Sequence, residues 1–140
     1  MSTPYNADYV PPVPVVEVSF SVPGQTITAG PFAAVVDTGA DATVAPKTML
    51  LSLGAPSLFD AQLRSPWGES HPVIIYLVDL QLASIRLPGV QVAADETAQE
   101  ITLGRNVLNK LALFLDGPEQ LTDILDGAAV QRLRARHAPG

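Results

Sequence analysis

The chain has no cysteine among its 140 residues, which excludes a disulfide framework, a thiolate nucleophile and a thiolate metal site. It also has no apolar run long enough to span a bilayer, and Met1 to Val10 contain neither a basic n-region nor an apolar h-region. A soluble, cytoplasmic protein with no membrane partner is expected. Positive charge is scarce. Eight Lys and Arg stand against 14 Asp and Glu, and a net charge of −6 argues against nucleic acid, whose phosphates demand a basic surface. Three of the eight, Arg132, Arg134 and Arg136, crowd the C-terminus, where they would favour the end of a helix. There is no internal repeat and no low-complexity segment.

What is present is the composition of a single globular domain. With 47% hydrophobic residues the chain carries enough material for one core, and 13 prolines with 10 glycines favour short strands and turns over a helical bundle. An all-β fold is predicted. Residues 1–12, with Pro4, Pro11 and Pro12, read as a loose arm, 13–125 as the folded domain, and 126–140 as a tail that Asp126 could cap into a helix. From Val16 to Val22, apolar residues alternate with Glu17, Ser19 and Ser21, the period of a half-buried strand. Pro23-Gly24 turns the chain, Thr26 to Ala29 pairs back, Gly30-Pro31 breaks it again, and Phe32 to Val36 suits an inner strand.

Pro46 opens a predicted helix over Lys47 to Leu53 that Gly54 would cap in the left-handed conformation. Strands over Leu58 to Arg64 and Val73 to Leu82 flank a tip, Ser65-Pro66-Trp67-Gly68-Glu69-Ser70, and form a hairpin whose second strand is apolar on both faces. A turn is expected at Pro88-Gly89 before Val90 to Ala93. Ile101 to Gly104 then reads as a strand, Arg105 to Lys110 as a short helix, and Leu111 to Leu125 as a final hairpin turning at Asp116-Gly117-Pro118. Asp79, Asp95 and Glu96 read as solvated charges. His71, His137 and the pair Asp37 and Asp41 lack the spacing or oxygen donors of a metal site, so neither metal nor cofactor is expected.

The chemistry concentrates in Asp37-Thr38-Gly39-Ala40-Asp41, where an apolar strand delivers a carboxylate to a turn. Taken alone this is often only an Asx turn. Hydrolysis by carboxylates needs two, one ionised to take a proton from water and one protonated to hydrogen-bond the scissile carbonyl. The chain holds a single such turn, so the second carboxylate must come from another acidic residue or from a second copy. A two-fold axis beside Asp37 supplies it most economically.

Asp37-Thr38-Gly39-Ala40-Asp41 with Thr43-Val44, followed in order by Leu103-Gly104-Arg105-Asn106-Val107-Leu108, resembles the two signature segments of the retropepsin-like aspartic proteases, the group that includes retroviral proteases. The likeness spans roughly residues 13 to 116, and a start at Met1 without flanking polyprotein sequence leans towards a cellular, non-viral member. The resemblance implies an acid-protease barrel with one lobe per chain, a homodimer, and a peptide or protein substrate bound extended between flap and body. It implies Asp37 as the catalytic aspartate, Thr38 as the residue gripping the opposing loop, and Gly39 as the acceptor of a substrate backbone bond. Ala40 and Asp41 would line the substrate main chain, with Asp41 and Arg105 forming a partly buried ion pair. Gly104 and Asn106 would support the turn, and Trp67-Gly68 would form the flap tip. The tip has one glycine where viral flaps have several, and this motivates an alternative reading, a dimeric peptide-binding or assembly module that cleaves little.

Overall fold

A computed structural model describes residues 1–65 and 67–137; Pro66 of the expected hairpin tip and the last three residues of the expected tail lie outside the described residues. The first half of the chain gives β1 (Ser2–Pro4), β2 (Val15–Ser21), β3 (Ala29–Val36), β4 (Thr43–Pro46), α1 (Lys47–Leu53) and β5 (Ser57–Arg64). The second half gives β6 (Ser70–Leu82), β7 (Ile85–Asp95), β8 (Ile101–Leu103), α2 (Arg105–Leu108), β9 (Leu113–Asp116), β10 (Leu121–Ile124) and α3 (Gly127–His137).

Six strands close a ring in the order β2-β3-β8-β4-β7-β6, because β6 pairs back to β2, and β5 lies outside it, paired to β6. Closure follows from the alternation in β2: Val16, Val18 and Phe20 point inward and are fully buried while Glu17 faces solvent. They meet Leu80, Leu82, Val92 and Leu103 in one core, each large side chain contributing about 1.5–3 kcal/mol of burial. Strand β6 needs cover on both faces and receives it, while Leu58 and Phe59 of β5 stay exposed. Tyr76 and Val78 join the main core, whereas Val73 and Ile75 form a second cluster with Ala93, against which Val44, Ala61 and Leu63 pack.

Helix α1 forms where expected, between Pro46 and Gly54, whose φ of 80° places its N–H on the carbonyls of Leu50 and Leu51. Two expected breaks are absent. Strand β3 continues through Gly30-Pro31 with a bulge in its pairing to β2 rather than a reversal, and Gly30, at φ 120°, passes β2 so closely that a Cβ would overlap the backbone of Val18 and Ser19. Strand β7 runs through Pro88-Gly89, which forms a bulge opposite Asp79, and the chain reverses earlier, between Leu82 and Ile85.

Asp79 is not a surface charge. It is 3% exposed and accepts the N–H groups of Gly24 and Gly89, both at 2.9 Å, and the Arg86 guanidinium at 2.8 Å. The Gly24 bond foremost, with those from Gly89 and Arg86, outweighs burial and holds its carboxyl below the usual Asp range. Asp95 is half-buried; burial raises its carboxyl, but hydrogen bonds from Thr97 and the nearby His71 prevail and lower it. Glu96 is exposed and pairs with Lys47 at 3.1 Å.

A second, three-stranded sheet has the order β1-β10-β9. The final hairpin is as expected, but the arm over 1–12 is not loose at its start: Ser2, Thr3 and Pro4 pair with Asp123, Thr122 and Leu121. Asp126 caps α3 through Ala129 N–H at 2.7 Å, and no residue of that helix is buried. Among the described residues, no helix is long and apolar enough to cross a membrane.

Candidate active site

Strand β3 ends at Val36 beside Leu103 of the parallel strand β8, and Asp37 continues the ladder by donating its N–H to the Leu103 carbonyl at 3.1 Å. The chain then leaves the sheet. Gly39 N–H returns to the Asp37 Oδ1 at 2.9 Å and Ala40 N–H to the Asp37 carbonyl at 3.3 Å, so the turn fixes one carboxylate oxygen. Among the described residues this is the only hydrogen bond to the Asp37 side chain, which is exposed together with Thr38 and Gly39.

The second motif holds this turn from beneath. Helix α2 begins without a side-chain cap; instead Arg105 N–H donates to the Ala40 carbonyl at 2.8 Å and Asn106 N–H to the Asp41 carbonyl at 3.4 Å. The free N–H groups of one element are thereby satisfied by the carbonyls of the other. Gly104 stands where a Cβ would overlap the backbone of Ala42, so the approach itself demands glycine. Thr43, fully buried, accepts the Gly104 N–H at 3.1 Å and donates to Asn106 Oδ1 at 2.7 Å. Asn106 Nδ2 donates in turn to the Gln91 carbonyl at 3.0 Å, tying β4, α2 and β7 together.

Arg105 and Asp41 meet as expected, yet the pair is not partly buried. Their closest atoms are 3.6 Å apart, with side chains 46% and 95% exposed, so the pair is a weak surface contact. The firmer bond runs from Arg105 Nη1 to the Thr38 carbonyl at 2.9 Å. Thr43 is the supporting residue whose role the sequence did not disclose. Thr43 belongs to the first signature segment, but that its hydroxyl is buried between Gly104 and Asn106 is visible only in the structure.

Trp67 and Gly68 lie at the tip of the β5-β6 hairpin, apart from this cluster. The tip closes on itself through Ser65 N–H to the Glu69 carbonyl at 2.7 Å and Gly68 N–H to the Ser65 carbonyl at 3.0 Å, with Gly68 at φ 87°. Trp67 is 88% exposed, and among the described residues no hydrogen bond or ion pair joins residues 65–69 to 37–41. A cavity of about 410 Å³ under the hairpin is lined by Lys47, Asp60, Gln62, Val73 and Glu96 among others, and includes no residue of the Asp37 turn. That turn faces open solvent. No group of three or more His, Asp or Glu that could hold a metal occurs among the described residues.

The fold has relatives among solved structures. The EIAV protease in complex with the inhibitor HBY-793 superposes with a TM-score of 0.56 at 18% identity, covering 77% of this chain and 93% of that one. A retropepsin-like aspartic protease from Rickettsia conorii gives 0.57 at 14% identity, covering 89% and 88%. At such identities the likeness establishes the fold, an all-β retropepsin-like barrel with one lobe per chain. No curated protein matches the sequence. The family model described as aspartyl protease matches residues 17–111, from β2 through α2, and thus contains both the Asp37 turn and the Gly104-Arg105-Asn106 segment that clamps it. With two thirds of its length so matched and the barrel to accompany it, the chain belongs to the aspartyl protease family.

Proposed function

We propose that the protein is an aspartic endopeptidase whose active site is completed by a second copy of the chain, the two Asp37 carboxylates facing each other across a two-fold axis. The observation that carries this reading is the state of the turn in one chain: an exposed aspartate that, among the described residues, accepts a hydrogen bond at one oxygen and none at the other, on a turn clamped by the α2 segment. Two carboxyls about 3 Å apart share one proton and titrate as a unit. The ionised partner takes a proton from water, whose oxygen bonds to the scissile carbonyl carbon; the protonated partner donates to the carbonyl oxygen. As the tetrahedral intermediate collapses the C–N bond breaks, the carboxyl that took the water proton passes it to the leaving amine, and the hydroxyl formed from the carbonyl oxygen returns its proton to the other carboxylate, restoring the pair without a covalent intermediate or cofactor.

Other features fit this arrangement. The Thr38 hydroxyl is exposed and, among the described residues, makes no bond within its own chain, leaving it available to the opposing loop. Gly39, Ala40 and Asp41 offer backbone and side-chain groups to an extended substrate, over which Trp67 and Gly68 would close. Arg105, Gly104 and Asn106 hold the turn in place. The test is incubation of the purified chain with a diverse peptide mixture at acidic and neutral pH, beside Asp37→Asn. Time-dependent cleavage by the unaltered chain alone is expected. Equal cleavage by both would refute the assignment, and binding without cleavage would leave a peptide-binding module.

A further inference from the structure

Helix α3 is the one element that the fold does not explain. It has 11 residues and buries none of them, yet isolated helices shorter than about 12–15 residues are marginal in water. Its sequence describes the surface it lacks. At 100° per residue, Ala129, Val130 and Leu133 form a narrow apolar stripe, flanked by Arg132 and Arg136 on one side and by Arg134 on the other. The whole chain nevertheless carries −6, so the remainder of the molecule is strongly acidic.

The terminal sheet offers the complementary pattern. Ile124 and Thr122 of β10 face inward and are buried, so Leu121 and Asp123 face outward, where the register sets Phe114 beside Asp123 and Asp116 beside Leu121. Phe114 is exposed. An apolar centre of Phe114 and Leu121 is thus edged by Asp116, Asp123 and, in the adjoining turn, Glu119. Asp123 already accepts the Ser2 hydroxyl at 2.5 Å and lies 3.8 Å from the N-terminal ammonium, whereas Asp116 accepts the Glu119 backbone N–H at 3.2 Å and, among the described residues, neither Asp116 nor Glu119 has a cationic partner. The helix begins two residues after β10, with Ala129 and Val130 half-buried and Leu133 exposed.

We infer that α3 is a clasp for a second copy of this chain: its apolar stripe seats on the partner's Phe114 and Leu121, and its arginines meet the partner's carboxylates. A two-fold axis makes the contact reciprocal, each helix lying on the other chain's sheet. The clasp rests on the dimer proposed above for catalysis and adds a specific attachment, built from residues beyond the stretch matched by the family model, to hold the two Asp37 turns together.

The absence of native cysteine makes the test clean. Differently tagged Phe114→Cys and Leu133→Cys chains are mixed and oxidised, while the unaltered chain is sedimented across concentrations. A dimer with preferential disulfide linkage between position 114 of one chain and position 133 of the other is expected. Arg132→Glu, Arg134→Glu and Arg136→Glu combined should weaken dimerisation by about tenfold or more, the exposed pairs to Asp116 and Glu119 each contributing modestly and the reversed charges repelling. A dimer without that linkage overturns the clasp and leaves the catalytic dimer standing. A chain that sediments as a monomer overturns both. A chain carrying both substitutions that closes on itself, or a triple variant that dimerises as tightly as the original while losing adhesion to anionic vesicles, also overturns the clasp.

Discussion

Asp37 and Asp79 carry the same functional group in opposite surroundings. Asp79, 3% exposed, is bonded by Gly24, Gly89 and Arg86; Asp37 is exposed and its side chain accepts, among the described residues, only the Gly39 N–H. A carboxylate that spends its lone pairs on the fold stabilises it but has none to offer a substrate. One held by a single backbone bond on a rigid turn is fixed in position and still free to react. The contrast also separates how the two sites are supported: donors converge on the Asp79 carboxylate itself, whereas at Asp37 they converge on the backbone that follows it, at the carbonyls of Thr38, Ala40 and Asp41.

Substitution should separate the two regions. Asp37→Asn is expected to lower peptide hydrolysis by about 10²–10⁴-fold or more while leaving each chain folded, as circular dichroism would show, because within one chain the side chain is exposed. The next largest effect is that of Gly104→Ala, whose added methyl meets the backbone of Ala42; denaturant unfolding should show a loss of about 3 kcal/mol or more, with activity lost as the turn shifts.

Asp79→Ala removes three bonds at once and should cost about 2–3 kcal/mol, less than a fully buried pair because Arg86 is partly exposed and keeps Ser21 and Gln25 as partners. Its pH dependence has a definite sign. A carboxyl depressed in the folded state stabilises above its unfolded value, and that contribution disappears as pH falls through the folded value. The stability gap between unaltered and Asp79→Ala chains should therefore be widest near neutrality and narrow in acid. A gap that widens in acid would contradict the assignment.

Arg105→Ala should cost less than about 1 kcal/mol, since both side chains of the Asp41 pair are exposed, and a larger loss would mean that its bond to the Thr38 carbonyl braces the turn. Trp67→Ala should change stability by less than about 0.5 kcal/mol, yet raise KM if the hairpin tip closes on substrate.

Much of this is legible in the sequence. Signals contained within one segment are reliable: the Pro46 to Gly54 helix, the hairpin around Trp67, the strand-to-helix step at Gly104-Arg105. Signals whose meaning depends on a distant strand are not. Gly30-Pro31 and Pro88-Gly89 announce a local departure from regular backbone, but whether that becomes a reversal or a bulge is settled by β2 and β6 across the sheet. Ser2-Thr3-Pro4 has no strand pattern and becomes a strand because β10, more than a hundred residues away, offers an edge. Asp79 resembles any surface aspartate, for nothing in its neighbours foretells two glycine N–H groups arriving from other loops. Thr43 stands within the first signature segment, yet its bonds to Gly104 and Asn106, more than sixty residues on, are as unforeseen.

The shared active site is tested most directly by mixing. Asp37→Asn chains, folded and free to exchange, are blended with unaltered chains at fixed total concentration, and peptide cleavage is followed against the unaltered fraction. If each site requires Asp37 from both chains, activity falls as the square of that fraction. A linear fall would mean that each chain works alone and would contradict the paired-aspartate account.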